Sequence, residues 1–435
     1  MRNTIINSER VLQLAMLVWL LMVLTNLRPP WQGLVSDSAV QNLATKRQLI
    51  FGVGGVAGFI YLTFRGSFYR AVLCFVPCLM WLGYCFFSLV WSPQPALTVK
   101  RSAVLLLGYI MIAAFSVSSK RPLALCQRWI VLVTGFLAVG SIGAMVALPK
   151  ICWSPPMRDG LAGLTNHPNT LGIACGIGWI ASLGWHGLHG WRWLFLQGLR
   201  LALFASVILT GSKSSLMLMI LGTLVYAILV SGRYRRSFIL LVTPAVLAIV
   251  GIIGPNTIFA EATGALGRDT TLTGRTELWE LVWAEAMKHP WAGTGLGAFW
   301  VPMKGYELTG TWNPRQSHNS YLDLFNELGL VGAVFFILAF HGVVVRAISS
   351  LPFPEPGRRD LDGARRAAML AFCAMILFYY SMLETCLMKV DNFPFLALLW
   401  TLICVYREVI GLDGRDRSEQ TVESPVMGGG RLSCA

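Results

Sequence analysis

The sequence predicts an all-α, polytopic integral membrane protein, and three observations carry that reading. Hydrophobic residues fill 55% of the 435 positions and charged residues only 13%, about half the charged share of a soluble chain. The mean hydropathy of +0.61 comes from repeated apolar runs long enough to span a bilayer, not from one patch. Between those runs lies a single long polar segment, about residues 259 to 318. A soluble enzyme, a disordered chain, a disulfide-stapled secreted domain and a nucleic-acid-binding domain all fit this composition poorly.

About twelve spans are expected, at roughly 11–27, 49–64, 71–91, 102–118, 128–148, 169–186, 193–211, 213–231, 237–258, 320–345, 366–388 and 393–410. Backbone polar groups in hydrocarbon must be satisfied within the segment, so these spans are helices. The second is short and Gly-rich, and 193–231 must turn tightly at Gly211. Arg2 and Arg10 precede the first run, which has no small-residue cleavage site after it and reads as an uncleaved span. The chain thus divides into helices over 1–258, a loop over 259–318, further helices over 319–410 and a polar tail over 411–435 that reads as disordered.

An even span number places both termini on one side. Arg233, Arg235, Arg236, Arg358, Arg359, Arg365 and Arg366 anchor connections on that side. Lys and Arg mark cytoplasmic loops, so both termini are expected in the cytoplasm and the long loop outside. The net charge of +14 follows partly from these anchors, and a basic outer surface suits an anionic substrate. Cys74, Cys78, Cys85, Cys126, Cys175, Cys373 and Cys404 fall in apolar runs, where they act as small hydrophobes.

Within the loop, a helix from about Thr276 to Lys288 sets Leu278, Trp279, Leu281, Val282 and Trp283 beside Glu277, Glu280 and Glu285. That amphipathic pattern suits the membrane surface or the cover of a cavity. Pro290 stops the helix, and Gly293, Gly295 and Gly297 call for irregular backbone after it.

Four spots on the loop side carry candidate chemistry. Gly267–Trp279 sets Arg268 and Arg275 in a Gly- and Thr-rich turn ahead of a helix, an arrangement suited to phosphate, or to anchoring the loop on lipid head groups or on its own carboxylates. His318, in Gln-Ser-His-Asn-Ser-Tyr-Leu-Asp, sits at the mouth of the tenth span, where it can act as a general base or as a helix cap. Tyr321 and Asp323 lie near it in sequence. Lys213, in Leu-Thr-Gly-Ser-Lys-Ser-Ser, either snorkels to the interface or meets a phosphate. His167, in Thr-Asn-His-Pro-Asn-Thr-Leu-Gly with Arg158 upstream, is a substrate ligand or an ordinary helix-start turn. No P-loop, HExxH or Gly-x-Ser-x-Gly string is present, and the outer side has no DxD pair, so no metal or nucleotide cofactor is expected.

The layout and three strings, Thr-Leu-Thr-Gly-Arg-Thr-Glu-Leu-Trp, Gly-Thr-Gly-Leu-Gly-Ala-Phe-Trp and Ser-His-Asn-Ser-Tyr-Leu-Asp, resemble the superfamily of bacterial O-antigen ligases and Wzy-type exopolysaccharide repeat-unit polymerases. Asn-His-Pro-Asn-Thr-Leu-Gly resembles a string that precedes the middle spans of such polymerases. The resemblance implies a glycosyltransferase of the inner membrane with a periplasmic catalytic loop and an undecaprenyl-diphosphate-linked oligosaccharide donor. The acceptor is another lipid-linked glycan in a polymerase, for which a chain-length regulator is an expected partner, and lipid A–core in a ligase. The family's loop arginine falls on Arg275, its loop histidine on His318, and a further basic residue, often Arg, on Lys213. Lys keeps the charge there but lacks the bidentate fork. The strings look more like those of the polymerases. A lipid flippase without chemistry would want ionisable groups at mid-bilayer; instead Glu384, Lys389 and Asp391 cluster near the outer end of the eleventh span.

Overall fold

The computed structural model describes residues 52–153, 160–165, 167–231, 273–352, 360–389 and 392–410. The expected spans at 11–27 and 237–258, the tail from 411, Arg158 and Arg268 lie outside the described residues. Regular structure within them is helical, with one isolated extended bridge between Trp153 and Leu161.

The main helices are α1 (Gly52–Phe64), α2 (Phe68–Leu73), α3 (Val76–Phe87), α4 (Pro95–Val117), α5 (Pro122–Ala147) and α6 (Pro168–Leu183). They continue with α7 (Trp191–Leu209), α8 (Lys213–Ser231), α9 (Thr273–Ala286), α10 (Ser320–Ser349), α11 (Leu361–Leu383) and α12 (Phe393–Val409). Prolines open α4, α5 and α6, where a missing N–H costs nothing because the first turn's donors have no intrahelical acceptor. Six helices, α4, α5, α7, α8, α10 and α11, are long and apolar enough to cross a membrane. The expectation of an all-α, polytopic membrane protein is borne out. Expected spans that come out shorter than a full crossing are Val76–Val90, α6 with 16 residues and α12 with 17; the helix at Gly52–Phe64 starts at the first described residue. The tight turn at Gly211 is present, with φ 60°.

Lipid tails are as apolar as the side chains, so helices in a bilayer associate through close packing of small residues. Helix α6 shows this: it packs against α5, α7, α8 and α11. A Cβ on its Gly178 would stand 2.1 Å from Thr134 Oγ1 of α5, and one on Gly172 would stand 2.7 Å from Ser215 Oγ of α8.

These contacts also set direction. Gly172 meets Ser215 and Gly222 meets Met375, while Gly184 meets Ala364. The first turns of α6 and α8 and the last turn of α11 therefore share one end of the bundle. The start of α10 joins them, because the Ser320 hydroxyl donates to Glu384 O at 2.8 Å. At the opposite end arginines bind backbone carbonyls and amides. Arg200 donates to Ser182 O at 2.6 Å, Arg365 to Gln127 Oε1 at 3.0 Å, and Arg407 to Ser116 O.

Helix α10 is broken at Gly329, with φ 66° and ψ −171°. The break frees backbone donors inside an apolar bundle, and the loop supplies acceptors. Leu330 N donates to Pro290 O at 2.8 Å and Val331 N to Trp291 O at 3.1 Å. Thr294 N and Gly295 N in turn donate to Asn326 O and Glu327 O, at 3.0 and 2.7 Å. Gly293, Gly295 and Gly297 have φ of 67°, 99° and 71°, so the irregular backbone expected after Pro290 is present. Its use is to seat the loop on the break.

Candidate active site

The site forms where the loop, the start of α10 and the end of α11 meet. Helix α9 is already helical at Thr273, earlier than the sequence suggests, so Arg275 lies within the helix. The buried face of α9, Leu278, Trp279 and Val282, forms a second small core with Phe299 and Leu322. Trp283 stacks on Phe325 of α10 at 5.2 Å. Helix α9 is thus docked on protein, along α10. Trp279 Nε1 donates to Ser317 O at 2.7 Å, which fixes the residue just before His318.

His318 does not cap the helix. Asn319 does, its side chain accepting from Tyr321 N and Leu322 N at 3.0 and 3.2 Å. His318 precedes the cap in the left-handed region, at φ 58°, a conformation a β-substituted side chain adopts only when its surroundings impose it. Ser317 is held on both sides, its N–H donating to Asp323 Oδ1 at 3.2 Å and its hydroxyl to Asn319 O at 2.8 Å.

His318 Nδ1 lies 3.0 Å from Glu384 Oε2. Arg275 Nη2 donates to the other oxygen of that carboxylate at 3.1 Å, and Nη1 donates to Leu383 O at 2.8 Å. Burial pushes the Glu384 carboxyl up, but the hydrogen bond from His318 and the charge of Arg275 outweigh it and hold the group below its ordinary value. An ionised carboxylate only accepts, so Nδ1 carries the proton of the His318–Glu384 bond. Nε2 makes no hydrogen bond to a described residue and is left as an acceptor.

Around this trio the backbone is clipped in place. Ser320 Oγ accepts from Cys386 N at 2.8 Å and Leu387 N at 3.3 Å. The Cys386 thiol, pushed up to about 11 by burial, is not a nucleophile in this setting. Asp323 is a scaffold. It accepts from Ser317 N, from Trp300 Nε1 at 2.9 Å and from Thr385 Oγ1 at 2.6 Å. Tyr321 points away, its hydroxyl 2.8 Å from His341 Nε2 and 2.5 Å from Leu377 O.

Of the six residues singled out in the sequence, two, Arg275 and His318, come together through one carboxylate. Lys213 opens α8 at the same end of the bundle, exposed and without a hydrogen bond or ion pair to a described residue. His167 caps α6, its Nδ1 accepting from Asn169 N at 3.1 Å, which is the helix-start alternative. Arg158 and Arg268 lie outside the described residues. Glu384 was legible only as part of a charged cluster at a span end, and nothing in sequence tied it to a histidine 66 residues away.

Comparison with known proteins agrees with the resemblance drawn above. Residues 198–337 match the family model described as O-antigen ligase (Wzy_C). That stretch includes Lys213, Arg275 and His318 and stops short of Glu384. The exopolysaccharide production protein ExoQ of Rhizobium meliloti (strain 1021) is 33% identical over 105 residues, 21% of this chain and 24% of its own. The matched segment thus spans about a quarter of that relative's length. The resemblance to the O-antigen ligase and Wzy-type polymerase superfamily is borne out.

Proposed function

We propose that this chain is an inner-membrane glycosyltransferase that moves a glycan from undecaprenyl diphosphate to an acceptor hydroxyl, with the loop end of the bundle facing the periplasm. The observation that carries this reading is the pairing of His318 Nδ1 with Glu384, which leaves Nε2 as a directed base. Arg275 on the same carboxylate supports it by adding fixed positive charge. The arginines on backbone acceptors at the other end of the bundle agree with a cytoplasmic placement of that end.

The acceptor O–H gives its proton to His318 Nε2 while its oxygen attacks the anomeric carbon of the donor sugar. The bond from that carbon to the diphosphate oxygen breaks on the opposite face, and its electron pair leaves with the diphosphate, so the configuration inverts. Glu384 stabilises the imidazolium as it forms, as a carboxylate on the far nitrogen does in other base-assisted transfers. Arg275 has guanidinium hydrogens beyond those directed at Leu383 and Glu384, and these offset the charge growing on the departing group. The diphosphate is already a good leaving group, so the reading needs no metal or nucleotide.

Elongation of exopolysaccharide or O-antigen repeat units is the first choice, because the matched relative is by its name an exopolysaccharide production protein. Ligation to lipid A–core is the second, favoured by the description of the family model. The test is purified protein with an undecaprenyl-diphosphate oligosaccharide, intact chain against His318→Ala. Longer lipid-linked glycans from the intact chain alone support the polymerase. Product only on addition of lipid A–core supports the ligase. Equal activity of the two proteins would overturn the assignment of His318.

A further inference from the structure

Beside His318 the 384–389 turn ends in a second feature that the transfer chemistry has not used. Three non-glycine residues among those described have positive φ: Met303, His318 and Met388. Two of the three border the candidate site. Met388, at φ 61°, immediately precedes Lys389 and follows the clip of Cys386 N and Leu387 N on Ser320 Oγ. Such a conformation is kept where a fixed backbone aims a side chain. Here the side chain is Lys389, whose Nζ donates to Gln316 Oε1 at 3.3 Å. Gln316 Nε2 in turn lies 3.4 Å from His318 Nδ1, a proximity and not a hydrogen bond, since both nitrogens carry hydrogen.

Lys389 is half-buried, and no described carboxylate lies within ion-pair distance of it. Arg275, by contrast, already has a carboxylate and a carbonyl. Among the described residues this partly buried ammonium is hydrogen-bonded to a neutral amide and meets a carboxylate, Glu327, only at longer range, whereas its desolvation calls for a nearer counter-ion. The Lys389–Gln316 contact ties the ammonium to a residue two positions before the base.

We propose that Lys389 is a second cation of this site and binds a phosphate of the donor's diphosphate, with Gln316 as the arm that holds the ammonium in place until the donor arrives. Lys213, the cation expected from the sequence, is exposed, whereas Lys389 is tied to a residue that neighbours His318. The inference rests on the reading of the site given above. It adds a residue outside the stretch 198–337 that matches the family model.

The test compares Lys389→Met and Lys389→Arg with the intact protein, in detergent, on an undecaprenyl-diphosphate oligosaccharide and with free undecaprenyl diphosphate as product inhibitor. Loss of one charge-assisted contact predicts a rise of about tenfold in both the donor KM and the inhibition constant for Lys389→Met. The KM for the acceptor stays within about twofold, and Lys389→Arg recovers most of the loss. Unchanged donor KM and inhibition constant in Lys389→Met would overturn the proposal, as would equal losses for donor and acceptor, which mark a merely structural role. If Lys389→Met does not stay monodisperse in detergent, Lys389→Gln with the same inhibition constant as the intact protein would equally overturn it. His318→Ala, run in parallel, separates the two readings. Loss of transfer with product inhibition unaltered by Lys389→Met sinks only the Lys389 assignment, whereas full transfer by His318→Ala sinks the reading of the site itself.

Discussion

Two carboxylates lie within one turn of each other's partners, and the molecule uses them oppositely. Asp323, buried in α10, accepts from a backbone amide, an indole and a threonine hydroxyl, and all three donors are fixed by packing. Glu384, at the end of α11, accepts from a histidine and an arginine, both able to hold charge and both with further hydrogens or lone pairs to offer. The first carboxylate makes a scaffold and the second makes a site. What distinguishes them is the chemistry of their donors, together with burial, which is complete for Asp323 and partial for Glu384.

Substitutions break this comparison in a graded way. The largest effect is expected from Glu384→Gln, which keeps shape but removes the charge that orients His318 and binds Arg275. Transfer should fall by about 100-fold or more, with the protein still folded by circular dichroism. Asp323→Ala should do the reverse: it strands three donors and lowers stability by about 3 kcal/mol, seen as an earlier thermal transition in detergent. Trp279→Phe removes one bond to Ser317 O and should cost about 1 kcal/mol of stability. Its transfer rate should fall severalfold, because the loop then holds His318 less firmly.

The smallest effect is one of pH. The Glu384 carboxyl lies below its ordinary value of 4.5 in the folded protein. Its contribution to stability is therefore full above that value and lost as the pH falls through the lowered one. Acid titration of the thermal transition should show this loss below about pH 4.5, and Glu384→Gln should flatten it.

Much of the scaffold was legible in the sequence, because apolar runs such as 122–147 and 213–231 state their helices directly. The irregular stretch at Gly293–Gly297 was legible too, as a need for positive φ. Its seat was not. Only the three-dimensional break at Gly329 shows which donors the loop carbonyls at Pro290 and Trp291 satisfy. Arg275 and His318 were visible as residue types in a polar loop, but their shared partner comes from a helix that begins at Leu361. Local spacing carries no trace of such a pairing. For His167 the local signal pointed both ways; the structure shows the helix-start turn, with Nδ1 accepting from Asn169 N, and a substrate role for the residue stays a proposal.

The central claim is that His318 and Glu384 act as one unit. A double-mutant cycle on transfer from an undecaprenyl-diphosphate oligosaccharide measures this directly, with His318→Ala, Glu384→Gln and the pair together. Residues that act as a unit are strongly non-additive. The double variant is expected to lose no more activity than the worse single variant. Losses that multiply, or a His318→Ala protein that keeps its activity, would contradict that claim.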